Sequence, residues 1–537
     1  MTTERPTNWT DRDSRLLEGA LRQGATRREL LHMLMVAGVG LSAGGTLLGL
    51  AGRTNAATPM RGGHLKAAGW SASIADTLDP AKGSNTTDYV RACTFYNRLT
   101  FIDRAGVPQM ELAESIETPD AQTWQITLRK GVTFHNGKSF GAEDVVYSLQ
   151  RHLDPEVGSK VNAIAKQMVE ISATGALGVR IVLAEPNADL PTILGLHHFA
   201  IIADGTTDFT TANGTGPFTC EVFEPGVRSV GQRNDSYFKS EGPYLDSVEF
   251  FAIADASARL NALMSGDIQI AAKINPRAMR TLEGRGGIST LTTTAGNYTD
   301  LNMRMDLDPG SKAGFIEGMK HLVNREAIQK SVLRGFADIG NDQPVSPASR
   351  YYNTELKPAE FDPDRAKAAF DKAGLLGVEI PIVASEAAAS SVDMATLIQQ
   401  AGAGIGMNIR IDQVPADGYW SNYWLKAPVH FGHINPRPTP DILFSLLYSS
   451  DAPWNESRYI SSRFDSLLKE ARGLTDESKR TEIYWDLQEM VAQQAGTIIP
   501  AYMSNIDAYT DRLGGLEPNP LGGLNGYAFS EYVWLNS

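Results

Sequence analysis

Residues Thr123–His152 read TWQITLRKGVTFHNGKSFGAEDVVYSLQRH, and three successive patterns in them point to an α/β chain. From Thr123 to Arg129 the side chains alternate. Trp124, Ile126 and Leu128 point one way and Gln125, Thr127 and Arg129 the other, as in a half-buried strand. Asn136-Gly137 marks a turn. Gly141-Ala142-Glu143-Asp144 then opens a helix, with acids in the first turn where the helix dipole favours negative charge, and with Val145, Val146, Leu149 and Leu153 on its inner side. The same stretch superficially suggests a phosphate-binding loop. Gly131 and Gly137-Lys138-Ser139 are separated by five residues where that loop has four, and no strand runs through the glycines into a helix start, so nucleotide binding is set aside.

Working outward, the chain has 537 residues, too many for one hydrophobic core, and two or more domains are expected. On the N-terminal side, Arg61–Trp70 is strand-like, Leu78-Asp79-Pro80 breaks it, and Thr87–Leu99 has helical spacing. On the C-terminal side, Asp362 as N-cap, Pro363 at the first helical position and Gly374 after the last turn bracket a helix whose Ala366, Ala369, Phe370 and Ala373 face inward. Glu379–Ser385 reads as a strand, Ser391–Gly404 as a capped helix and Asn408–Val414 as a second strand. A strand-helix-strand crossover of this kind makes the two strands parallel neighbours or nearly so.

The first 57 residues follow a different logic. Arg27-Arg28 precedes an uncharged stretch rich in Ala and Gly, with five glycines from Gly38 to Gly49, and Asn55-Ala56-Ala57 follows. This is the layout of an export signal of the twin-arginine type, cut near Ala56 or Ala57, with a retained membrane anchor as the alternative. These residues hold seven basic and five acidic groups, which leaves 42 basic against 57 acidic, a net −15, for the remainder. Without a basic face a nucleic-acid partner is excluded. Cys93 and Cys220 are the only cysteines, and they either pair in an oxidising compartment or stay apart as small hydrophobes.

The Thr123–His152 block resembles the family 5 extracellular solute-binding proteins, the dipeptide, oligopeptide and nickel binders of ABC importers. The resemblance continues through LDP (Leu78–Pro80), LAES (Leu112–Ser115), TGPF (Thr215–Phe218), PYLDSVEF (Pro243–Phe250) and LNALMSGDIQI (Leu260–Ile270). It extends to GMKHLVNREAI (Gly318–Ile328) and FDPDRAKAAFDKAGL (Phe361–Leu375). It implies an α/β fold of type II, two lobes with mixed sheets and a hinge between them. The implied division is a signal region 1–57, a first lobe with an inserted subdomain 58–295, a second lobe 296–505 and a C-terminal return 506–537. Crossing strands would lie near Thr292–Asn302 and Ile499–Asp507. The implied protein is a periplasmic monomer that captures a peptide or peptide-like solute without a cofactor, hands it to ABC permease subunits, and reaches the periplasm through the twin-arginine export machinery.

The span His430–Ser457, HFGHINPRPTPDILFSLLYSSDAPWNES, concentrates the candidate chemistry. His430 and His433 are two donors where a metal site needs three or four, and no metal is expected there. Beyond residue 57 the Gly-x-Ser-x-Gly pattern occurs at Gly137–Gly141 (GKSFG), in the turn that precedes a helix and not at a strand-to-helix elbow, and the chain has no His-Glu-x-x-His, so a secreted hydrolase is the rival class without a catalytic set. His197-His198 reads as a satisfied core or interface pair. Aromatics combined with a few oriented polar groups suit a small organic ligand. Trp424, Trp454, Asn455, Asp441 and Arg437, with Trp70 and Tyr96 from the first half, are the expected ligand-contacting set. In the peptide binders that this chain resembles, an aspartate near this place holds the peptide's amino group. Here Pro436 stands in its place with Arg437 beside it, and an arginine fork suits a carboxylate or phosphate. A peptide-like solute and an anionic non-peptide solute (opine-like, a sugar derivative or a metal chelate) both remain open, and Arg437 either meets the ligand or salt-bridges Asp441.

Overall fold

The computed structural model describes residues 59–282, 284–519 and 521–536. The expected export signal, with Arg27, Arg28 and the cut near Ala56 or Ala57, lies outside the described residues. β1 is His64–Gly69, and α1 (Thr86–Phe95) starts where the Asn85 side-chain oxygen accepts the amides of Thr87 and Asp88. The helix stops four residues short of the expected Leu99. Asn97 and Arg98 turn aside to give hydrogen bonds to the buried carboxylate of Glu111, each 2.9 Å long.

The alternating stretch forms β2, Thr123–Leu128, with Trp124, Ile126 and Leu128 buried. It lies between the strands Ala113–Glu117 and Gly178–Leu183 in a four-stranded antiparallel sheet. α2 (Ala142–Arg151) follows, and the Asp144 carboxylate accepts the Gly141 amide at 2.9 Å to close its first turn. Val145 and Leu149 are fully buried, and Val146 and Leu153 are half-buried at the edge of the same apolar cluster.

The larger sheet gathers strands from both ends of the chain. Its members are β1, then β3 (Phe218–Glu224), β4 (Arg228–Arg233), β5 (Ser247–Ala252), β6 (Ile270–Ala271) and the 16-residue β7 (Ile288–Met303). After α3 (Pro363–Lys372) come β8 (Glu379–Ala384), α4 (Ser391–Gly404), β9 (Asn408–Gln413), β10 (Val429–Ile434), α5 (Pro440–Leu447) and β11 (Ala501–Thr510). The α3 boundaries follow from Asp362, whose carboxylate accepts the Arg365 amide, and from Gly374 at φ +68°. β8 and β9 are parallel neighbours, Glu379 opposite Asn408, as the crossover requires. α4 keeps its expected span but has no side-chain cap, because its N-cap residue Ser390 takes a φ of +64° and not the extended conformation in which a serine caps.

The main path of this sheet runs β9-β8-β10-β7-β11-β6-β1-β5-β4-β3. The two stretches expected to cross are therefore adjacent strands at its centre. β7 and β11 pair antiparallel from Ile288–Thr510 to Tyr298–Tyr502, with a bulge between Thr294 and Asn297. β10 lies on the other side of β7, Tyr298 opposite Ile434. Leu301, Met303 and Phe431 feed the core beside α4, whereas Ile506 and Ala508 feed the one beneath β6.

Candidate functional site

The sequence brings β10 to an abrupt end. Pro436 and Pro438 cannot donate ladder hydrogen bonds, and Pro440 at the start of α5, capped by Thr439, begins a helix. The loop between them projects Arg437 into a cavity of about 1110 Å³. One guanidinium nitrogen gives 3.1 Å hydrogen bonds to the Asn435 and Pro436 carbonyls, and the group lies 6.0 Å from the centre of the Trp454 ring. Asp441 does not pair with it. That carboxylate accepts from Arg472 at 2.9 Å, and burial pushes its pKa up to about 6. Enclosure pulls the arginine's own pKa down, and among the described residues no acid lies within salt-bridge reach of it.

The opposite wall comes from the first half of the chain. Trp70 follows β1, and the Lys273 ammonium, just beyond β6, stands 5.5 Å from the centre of its ring. Tyr89 of α1 stacks on His197 at 3.6 Å, and Tyr527 meets Tyr89 edge-on at 5.6 Å. His197 and His198 are thus cavity-lining residues rather than a core pair. Burial holds His198 near a pKa of about 4, and its Nε2 faces the Gly83 carbonyl at 3.0 Å.

Six basic and three acidic side chains line this cavity, although the whole protein is net −13. Arg98 is matched by Glu111, Arg104 by Glu517 and Arg472 by Asp441. Lys160 is exposed, and Asp103 is occupied by the amides of its own turn. Lys273 and Arg437 remain, the first exposed and the second half-buried, and neither has an acidic partner among the described residues. Such a surface can hold a negatively charged solute against aromatic faces.

Of the expected set, Arg437, Asp441, Trp454 and Trp70 line the cavity, and three others do not reach it. Tyr96 is buried, with its hydroxyl donating to the Leu78 carbonyl at 3.0 Å. Asn455 fastens the loop after α5, giving a 2.6 Å hydrogen bond to the Tyr459 carbonyl and accepting the Tyr459 amide at 2.9 Å. Trp424 backs Trp454 edge-on at 5.5 Å and donates its indole N–H to Glu456. These three support the wall because their polar groups are consumed inside the protein. His430 and His433 are likewise committed, to the Ala427 carbonyl and the Thr299 hydroxyl, and burial lowers both to about 4. Cys93 and Cys220 are not bonded to each other. Sequence reasoning missed Lys273, Tyr89, Tyr527 and Asn297, none of which sits in a motif.

Residues 107–456 match the profile of the bacterial extracellular solute-binding proteins, family 5 middle. The chain belongs to this family. This family 5 solute-binding protein is 26% identical over 484 residues to the dipeptide-binding protein of Escherichia coli (strain K12), an alignment covering 82% of this chain and 89% of that one. Its fold is shared with the periplasmic binding protein DppA of Helicobacter pylori, solved with the peptide STSA (TM-score 0.73, 24% identity, 89% of this chain and 99% of that chain). HbpA2 of Haemophilus parasuis also shares it (TM-score 0.78, 22% identity, 88% and 100%). The fold is therefore the two-lobed, mixed-sheet type II architecture of binding proteins. The family consists of solute-binding proteins of ABC importers. Among the described residues no helix is long and apolar enough to cross a membrane.

Proposed function

We propose that this family 5 protein is the solute-binding component of an ABC importer and captures a small, peptide-sized solute through an acidic group. The observation that carries this reading is Arg437, an enclosed guanidinium over Trp454 with no acid within salt-bridge reach among the described residues. A peptide's ammonium end would be repelled there, whereas a carboxylate or phosphate would complete the fork. The cavity volume of about 1110 Å³ suits a ligand of short-peptide size. In this reading residues 58–295 and 506–537 form one lobe and 296–505 the other, and they close by hinge motion about β7 and β11. The exported monomer, delivered by twin-arginine translocation on Arg27-Arg28 and cut near Ala56 or Ala57, hands the solute to permease subunits.

Mass spectrometry of the small molecules that copurify with the protein tests the class of solute, and an acid is expected. With that compound, Arg437→Ala weakens binding in calorimetry by about 2–5 kcal/mol, the usual loss when one partner of an enclosed charged pair is removed. Unchanged affinity, or turnover of the compound by the isolated protein, would sink the reading.

A further inference from the structure

Lys273 follows the short strand β6 with a φ of +48°, a left-handed conformation that residues other than glycine, asparagine and aspartate seldom adopt. Both sides of its backbone are fixed. Its amide donates to the Asp507 carboxylate at 2.9 Å, and Arg259 donates to its carbonyl at 2.8 Å. Asp507 is fully enclosed and also accepts the Leu524 amide at 2.8 Å, so it is engaged by the backbone on two sides. The hydrogen bonds thus hold the residue in a seldom-used conformation with its ammonium over Trp70 at the cavity. The ammonium has no hydrogen-bond or salt-bridge partner among the described residues. Its surface is open to the cavity while protein surrounds it on the wider scale, and this enclosure pulls its pKa down.

Between Lys273 and Arg437 the cavity floor carries a second unmatched group. Asn297 stands at the bulge in β7, where Gly296 takes a φ of +62°, and a bulge re-aims the side chain that follows it. The residue is only 8% exposed, it lines the cavity, and its Oδ1 has no hydrogen-bond partner. In the sheet order β10-β7-β11-β6, Arg437 extends from the first strand and Lys273 from the last. The strand that carries Asn297 thus lies between the two strands from which they extend. All three residues line the same cavity.

We infer that the solute carries two separate acidic groups, one held by Arg437 against Trp454 and the other by Lys273 against Trp70, with the Asn297 carboxamide bonding the polar segment between them. This rests on the proposed binding reading and narrows it from an acid to a diacid. Two cations without an acidic partner among the described residues line the cavity from opposite walls, and a monoanion can pair with only one of them. Selectivity would follow because the amide analogue of a diacid leaves the ammonium without an ionic partner.

The test uses N-acetylated Ala-Asp and Ala-Glu with their one-charge counterparts, N-acetylated Ala-Asn and Ala-Gln, titrated calorimetrically into the protein. The diacid of each pair is expected to bind at least about 10-fold more tightly than its amide. Lys273→Gln abolishes that preference by weakening the diacid alone, Asn297→Leu weakens both members of a pair, and Arg437→Gln weakens both more severely. An unchanged preference in Lys273→Gln, with binding still lost in Arg437→Gln, would overturn the second anionic position while leaving the acid-binding reading in place. Binding that neither substitution disturbs would overturn both, as would failure of all four compounds to bind. Ligand-free melting temperatures of Lys273→Gln and Asn297→Leu, expected to match the parent, separate a binding defect from a folding defect.

Discussion

Asn297 and Asp300 lie three residues apart on β7, and each has a buried side-chain oxygen without a hydrogen-bond partner from a conventional donor, yet their surroundings are opposite. Asn297 opens on the cavity. Asp300 is sealed beneath it, where a Cβ added at Gly432 would meet both Asp300 Oδ1 and Glu456 Oε1. In the sealed place two carboxyl groups crowd one point, and burial raises the pKa of both, Asp300 to about 6 and Glu456 well above the usual range. A proton shared between them supplies the missing hydrogen bond, because like charges so close cannot both ionise. The difference teaches where an unmatched polar atom is compensated: inside the core by a proton, at the cavity by whatever binds there.

The comparison breaks most visibly at Glu456. Its carboxyl accepts the Trp424 indole N–H and faces Asp300, whose other oxygen accepts from Asn302 at 2.8 Å. Glu456→Ala strands the indole donor and the aspartate and opens a void, so denaturant titration should show a loss of about 2–4 kcal/mol. Glu456→Gln keeps an acceptor for Trp424 and presents an amide donor to Asp300, and its stability at neutral pH should stay within about 1 kcal/mol of the parent. An alanine variant as stable as the parent would mean that the pair contributes nothing to the wall.

A smaller effect follows from pH. Both folded-state pKa values lie above their unfolded ones, so the folded protein binds more protons than the unfolded chain as the groups titrate. The pair's contribution is then fully favourable below about pH 4, where both states are protonated, and it declines as pH rises through about 6 and beyond. The melting temperature of the parent should therefore fall over that window relative to Glu456→Gln, which has one carboxyl fewer and gives the other a donor. Parallel pH profiles for the two proteins would remove the shared proton.

Much of the architecture was legible because it rests on local rules. Asp362-Pro363 and Gly374 delimit α3, and the alternation around Trp124 marks β2 with its buried face. The site was legible only in part, and the failures share a cause. Trp424 was read as a cleft residue because aromatics favour ligands, but the deciding feature was an acid, Glu456, whose burial no local pattern reveals. Lys273 stands between Ala272 and Ile274, and nothing in a sequence reports a φ of +48° or a side chain left unpaired by neighbours more than 200 positions away. Asn297 depends on a bulge that exists only because β11 pairs beside it. Arg437 was visible because two prolines isolate it, a constraint written within the chain itself.

The smallest effect is expected at Asn297, where its size is the point. A carboxamide that made its hydrogen bonds within the protein would cost about 1–3 kcal/mol to remove, since its partners would be left unsatisfied. Asn297 has no such partners in the protein, so Asn297→Ala leaves no stranded donor or acceptor and opens space that is already continuous with the cavity. Ligand-free stability should stay within about 0.5 kcal/mol of the parent, or rise, because a desolvated polar group has been removed. The same substitution should reduce the stabilisation that a bound diacid gives, since the ligand then loses the carboxamide. A ligand-free loss comparable to that of Glu456→Ala would show that Asn297 belongs with Asp300 as part of the sealed core, and the distinction between the two ends of this short stretch of β7 would collapse.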